Sequence, residues 1–141
     1  MPNVNGFPVW PRPIRALMRP LGASAAGMAT QQSFLETIAR NIANAETTRT
    51  PDGTPYRRQI AVTERDPVSG ELTTRIVEDP SAGQMVYDPG HPDANQDGYV
   101  EYPNVDVNTE LVDLMLARRM HEANASAFQA AKSMLRRALE I

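Results

Sequence analysis

The sequence predicts an α+β chain in which long N- and C-terminal helices pack as a coiled-coil-like pair and flank a small β-rich insert. Three observations predict it: where the prolines fall, where apolar residues recur at helical spacing, and where the charge changes sign. Of the 12 prolines, five lie in residues 1–20 and seven between Pro51 and Pro103, which leaves 21–50 and 104–141 free of them. Proline removes a backbone donor and clashes with the preceding turn, so long helices belong in those two gaps. Residues 1–50 carry five arginines against two acids, whereas 51–107 carry four against eleven. The chain therefore divides into a proline-rich arm (1–20), a helix with its exit turn (21–50), an acidic β-rich insert (51–107) and a C-terminal helix (108–141).

The arm holds Arg12, Arg15 and Arg19 among its prolines and has no apolar stretch behind them, so it does not read as a secretory signal. In the first gap, Leu21, Met28, Leu35 and Ile42 recur every seven residues, with Ala25, Ile38 and Ala39 on the same face. That stripe predicts a helix over about 21–45.

The insert alternates polar and apolar residues over Ile60–Arg65 and Leu72–Glu78, with Asp66-Pro-Val-Ser-Gly70 between them, which predicts a β-hairpin. Met85–Asp88 and Tyr99–Tyr102 are shorter strand segments. Thr50-Pro-Asp-Gly53 and Asp88-Pro-Gly90 have proline and glycine where turns need them.

In the second gap, Leu111, Leu114, Arg118, His121, Ala125, Phe128, Lys132, Leu135 and Leu139 follow a 3,4 alternation. A second stripe, from Val112, Leu116, Met120, Ala123, Ala127, Met134 and Ala138, marks another face. Asn108 is the expected N-cap, and Arg136 and Arg137 suit the negative end of the helix dipole. A helix of about 30 residues spans roughly 45 Å, longer than a small domain is wide. Its second apolar face is therefore expected to be buried against other chains.

The stretch Asp93 to Asn104 imitates a calcium loop, with oxygen ligands at Asp93, Asn95 and Asp97, glycine at Gly98 and Glu101 in the ninth place. Asn104 stands where a bidentate carboxylate closes such a loop, and prolines precede it where a helix should enter. A small calcium-dependent binding module using 93–104 is kept as the alternative from a different functional class. His91 with Asp88, Asp93 and Asp97 lacks a second histidine, and no metal site is expected there. Neither histidine belongs to a nucleophile–base–acid arrangement, so no catalytic residue and no cofactor are expected. The net charge of −3 argues against a nucleic-acid partner, and no apolar run is long enough for a membrane span. The pairs Arg57–Arg58, Arg118–Arg119 and Arg136–Arg137 read as salt-bridge donors between subunits.

Asn41-Ile-Ala-Asn44-Ala45-Glu46-Thr47, at the exit of the first helix, resembles the N-terminal motif of the bacterial flagellar rod and hook proteins. Thr50-Pro-Asp-Gly-Thr-Pro-Tyr56-Arg57, Tyr87-Asp-Pro-Gly-His-Pro-Asp-Ala94 and Gly98-Tyr-Val-Glu-Tyr-Pro-Asn-Val-Asp-Val107 are similar to segments of its proximal-rod members. So are Glu110-Leu-Val-Asp-Leu-Met115, Arg119-Met-His-Glu-Ala-Asn124 and Lys132-Ser-Met134. The likeness covers about residues 21–140. It departs at His121, where the family carries tyrosine, and does not extend over the first 20 residues.

The resemblance implies a non-enzymatic structural subunit of the proximal rod of the flagellar basal body, assembled through its terminal helices into a torque-transmitting tube. Implied partners are copies of itself, other rod subunits and the inner-membrane ring adaptor, with no small-molecule substrate. The implied location is the rod in the periplasmic space, reached through the flagellar type III apparatus without a cleaved signal peptide. Another rod or adaptor subunit of the same family is the alternative within this class. The expected assembly interface comprises Leu35, Ile38, Asn41, Ile42, Asn44, Leu111, Leu114, Arg118, His121, Asn124, Phe128 and Leu135.

Overall fold

In the computed structural model residues 12–140 are described, and the first eleven residues of the expected arm lie outside them. The elements are α1 (Arg12–Ala43), β1 (Gln59–Arg65), β2 (Leu72–Glu78), β3 (Gln84–Tyr87), β4 (Tyr99–Tyr102) and α2 (Val107–Leu139). Two long helices flank a small β region, an α+β arrangement. The helix expected from residue 21 begins at Arg12 and contains Pro20. Proline at that position forfeits one bond, to the Ala16 carbonyl, and its ring sits on the exposed side of the helix. One missing bond does not end a 32-residue helix.

α1 ends at a polar turn. The Asn44 backbone N–H and its Nδ2 both donate to the Arg40 carbonyl, at 3.1 and 2.9 Å, while Thr47 Oγ1 donates to Asn44 Oδ1 at 3.2 Å. These bonds satisfy groups that a helix terminus leaves open. α2 starts one residue before the expected segment, and its N-cap is Asp106, not Asn108. Asp106 accepts from the Asn108 N–H at 3.1 Å and from Thr109 Oγ1 at 2.7 Å. Asn108 instead supplies an orphan N–H of the first turn, the group that a cap exists to satisfy.

The helices run antiparallel: Asn41 bonds Glu110 near one end, and fourteen residues further along each helix Gly27 faces Asn124. A Cβ at Gly27 would lie 3.0 Å from the Asn124 amide, well inside van der Waals contact, so glycine permits this close approach. The side of α2 turned inward carries Glu110, Ala117 and Ala131, all buried, and the half-buried Leu114, His121, Asn124, Phe128 and Leu135. This is a 3,4 seam, but half of it lies one residue before the seam read from hydrophobicity. Leu114, His121, Phe128 and Leu135 are common to both; Leu111, Arg118 and Lys132 are exposed. Close approach selects alanine at 117 and 131, and a buried polar partner selects glutamate at 110. Neither choice is visible to an apolar-residue count.

β1 and β2 form an antiparallel hairpin in register from Gln59↔Glu78 to Arg65↔Leu72. Its turn is held by Asp66 Oδ1, which accepts the N–H groups of Val68 and Ser69 at 2.7 Å each. β3 and β4 form a second antiparallel pair, from Gln84↔Tyr102 to Tyr87↔Tyr99. Gly98, at φ 80, closes the loop between them, where a Cβ would lie 2.9 Å from the Tyr87 ring. Both turn geometry and space therefore demand glycine. The first hairpin lies along α1, over the small residues Ala23, Ala26, Thr30 and Ser33.

The apolar core among the described residues is small: Ile38, Tyr56, Ala61, Val100, Ala117 and Ala131. Larger side chains on α2 are left outside, including Val112 at 65% exposure and Met115 at 67%.

Hydrogen bonds from Thr109 and then from the Asn108 N–H hold the Asp106 carboxyl below the ordinary value of 3.8, so the cap stabilises α2 more strongly when ionised. Its contribution is complete above the unfolded-state value and is lost as pH falls through the lower folded-state value. Asp106→Asn, which keeps a cap of similar strength without titrating, is expected to lose less helix than the wild-type chain when circular dichroism is followed from about pH 5 down to about pH 2. Equal losses in the two chains would show that the cap is not a source of the acid sensitivity.

Candidate functional site: a polar clasp and an apolar helix face

The end of α1, the start of β1 and the first turn of α2 meet at Asn41, which is 1% exposed. An asparagine side chain has two donor hydrogens and a carbonyl oxygen with two lone pairs, and all four are used. Nδ2 donates to the Gln59 carbonyl at 2.8 Å and to Glu110 Oε2 at 3.0 Å. Oδ1 accepts from the Gln59 N–H at 2.9 Å and from the Tyr56 hydroxyl at 2.9 Å. Towards Gln59 the carboxamide behaves as a neighbouring strand would, giving the first residue of β1 a donor and an acceptor. Aspartate, which has no donor when ionised, cannot replace it.

Glu110 is also 1% exposed, and its second oxygen accepts from Arg58 Nε at 2.6 Å. The same guanidinium lies 3.7 Å from Asp79 and 3.7 Å from Asp113. Burial disfavours the Arg58 charge, but the Glu110 bond and the surrounding carboxylates outweigh it and raise its pKa above the ordinary arginine value. Burial likewise lifts the Tyr56 phenol above 10.0, so it stays a neutral donor to Asn41. The Arg58 backbone N–H donates to Asn104 Oδ1 at 2.7 Å, and Asn104 Nδ2 donates to the carbonyls of Asp79 and Ser81 at 3.2 and 3.1 Å. One connected set of side chains thus joins α1, the start of β1, the residue that follows β2, and the segment entering α2.

The oxygens of the calcium-like stretch are engaged by the protein itself. Asp93 accepts from Thr48 Oγ1 at 2.7 Å and lies 3.4 Å from Arg49 Nε. Asn95 Oδ1 accepts the N–H groups of Asp97 and Tyr99 at 3.0 and 2.9 Å. Asp93, and Asn104 through Arg58, thus pin the stretch to the exit of α1 and to the entry of β1, while Asn95 holds the loop's own turn. Among the described residues no group of three or more histidine, aspartate or glutamate side chains is arranged to hold a metal ion.

Of the expected interface residues, Ile38 and Asn41 are buried, while Leu35, Ile42, Asn44, Leu114, His121, Asn124, Phe128 and Leu135 are half-buried. Asn44 serves the α1 exit turn. Leu111 at 45% exposure and Arg118 face outwards. They flank a continuous apolar strip on α2 that includes Val112, Met115, Leu116 and Met120, each at least 46% exposed. His121 Nδ1 is buried without a hydrogen-bond partner, a cost that the packing of the seam has to offset.

Sequence reasoning missed Tyr56, Asn104 and Glu110 as structural partners, and it assigned Arg57 and Arg58 to contacts between subunits. Both arginines pair within the chain, Arg57 with Glu101 at 3.5 Å and Arg58 with Glu110. The available signal was an acid in the first turn of an apolar helix, together with an arginine in an insert rich in carboxylates. Beside the clasp, α1, α2 and β1 enclose a groove of about 300 Å³ with apolar walls from Phe34, Ile38, Ile60, Leu116 and Met120.

A family model described as flagellar basal body rod FlgEFG protein, C-terminal, matches residues 96–141. The flagellar basal-body rod protein FlgC of Borreliella burgdorferi is 36% identical over 147 residues, covering 89% of this chain and 97% of its own. That of Bacillus subtilis is 37% identical over 142 residues, covering 86% and 95%. That of Salmonella typhimurium is 35% identical over 131 residues, covering 89% and 98%.

The clasp predicts the effect of Asn41→Asp, which preserves shape but removes both donors and sets a second carboxylate beside Glu110. The expected loss is about 3 kcal/mol or more in urea unfolding of the full chain, the scale for breaking a buried polar network. A loss below about 0.5 kcal/mol, as for an ordinary surface change, would contradict the network.

Proposed function

This chain belongs to the FlgC family of flagellar basal-body rod proteins, and from that premise we propose that it builds the proximal rod by burying the outer face of α2 against neighbouring subunits. It is a structural subunit of the basal-body rod. The observation that carries the proposal is the exposed apolar strip of α2. A soluble monomer seldom leaves so many large apolar side chains side by side, and such strips mark interaction surfaces.

In this reading the clasp fixes the insert relative to the helix pair, and the outer face of α2 supplies adhesion between subunits. Torque then passes from subunit to subunit through packed helices. Work is done by rigidity and contact area, with no catalytic residue and no cofactor. The partners are copies of this chain, other rod subunits and the inner-membrane ring adaptor. Its place is the periplasmic part of the rod, with delivery by the flagellar type III apparatus. What supports these finer assignments is the match of Gly98–Val107 and Glu110–Met115 to the proximal-rod pattern.

Half-burial of Leu114 in the α1–α2 seam makes it a poor probe of assembly, because a charge there also disturbs the monomer. The exposed pair Leu111 and Met115 separates the two effects. Leu111→Asp with Met115→Asp is expected to leave monomer stability within about 0.5 kcal/mol per substitution, the usual range for surface changes. It should nonetheless exclude the chain from isolated basal bodies and abolish swimming. Normal incorporation of the double variant would remove the outer face of α2 from the assembly interface.

A further inference from the structure

We propose that the groove between α1, α2 and β1 receives the C-terminal end of α2 from a second copy of this chain, making a head-to-tail contact. The inference rests on the rod-subunit reading and names the occupant of its groove. Two properties of the groove define what fits. Its walls are apolar and open, with Leu116 at 58% and Met120 at 46% exposure. Its charged lining is net acidic, because the Arg58 guanidinium faces the carboxylates of Glu110 and Asp113, which leaves an excess of one negative charge. The Asp113 side chain remains 45% exposed and lies at the rim. Such a surface selects an amphipathic helix that offers apolar anchors and cations at i, i+3 and i+4.

The last two turns of α2 have that chemistry. Met134, Arg137 and Ala138 share one face at i, i+3 and i+4, with Met134 53% exposed and Arg136 beside them. The helix dipole adds negative charge at this end, which the arginines offset. Asp113 and Arg137 lie 24 residues apart on the same helix, about 36 Å at 1.5 Å per residue. No copy can therefore fill its own groove. Groove and helix end are different patches on one molecule, so their contact is heterologous and repeats from copy to copy; it closes into a ring only if the rotation between copies allows. Met134 would sit against Met120 and Leu116, with Arg137 near Asp113.

The chain has no cysteine, so a disulfide pair reports the contact without background. Copies carrying Met120→Cys and copies carrying Met134→Cys are made together in flagellated cells, and their basal bodies are isolated and oxidised. A disulfide-linked dimer that requires both variants is the expected result. Adding Arg137→Asp to the Met134→Cys copy should lower its yield by about ten-fold, and Asp113→Arg in the receiving copy should restore it. Normal incorporation of both variants without the dimer would overturn the contact and leave the rod reading standing. A dimer yield unchanged by Arg137→Asp would also overturn it. Absence of the unaltered chain from basal bodies would instead strike the rod reading itself.

Discussion

The buried bond between Asn41 and Glu110 is the point on which the rest of the chain depends. It lies where α1 ends, β1 begins and α2 has made its first turn, so three elements far apart in sequence take their positions from it. Two buried polar side chains in so small a core are costly unless every donor and acceptor is matched. Tyr56, Gln59 and Arg58 provide those matches. The arrangement is directional, and an equivalent volume of leucine would leave the insert free to slide along the helices.

The clasp and the apolar surfaces divide the work. Six buried apolar residues give the described part of the chain a modest core, and large side chains on α2 are left exposed. A self-contained domain would turn those side chains inward. A subunit of a helical tube has to present them, because adhesion to its neighbours comes from the same hydrophobic effect. Polar specificity inside the subunit and apolar contact outside it are consistent with a part that must keep its shape under load while joining others.

Much of the fold was legible in the sequence, for reasons that differ by element. The first hairpin follows from alternation and an Asx turn at Asp66, both of them local. The long helices follow from the absence of proline, although Pro20 shows that one exposed proline does not set a boundary. The helix seam was legible only in part. Leu114, His121, Phe128 and Leu135 announce themselves by spacing, whereas Glu110, Ala117 and Ala131 do not, because close packing and a long-range polar bond chose them. The clasp was hidden for the same reason: Asn41, Arg58 and Glu110 come together through tertiary structure. Asp93 to Asn104 looked like an ion loop because turns and ion sites draw on the same oxygen-bearing residues, and its oxygens serve the turn and its anchorage.

The central claim is that the ion pair at the clasp couples the insert to the helix pair. A double-mutant cycle tests it directly, with Arg58→Met, Glu110→Leu and the double variant compared by urea unfolding of the full chain. A coupling energy above about 1 kcal/mol is expected, with the double variant less damaged than the sum of the single changes. Strictly additive losses, with coupling near zero, would mean that Arg58 and Glu110 act independently and that the insert is held by something else.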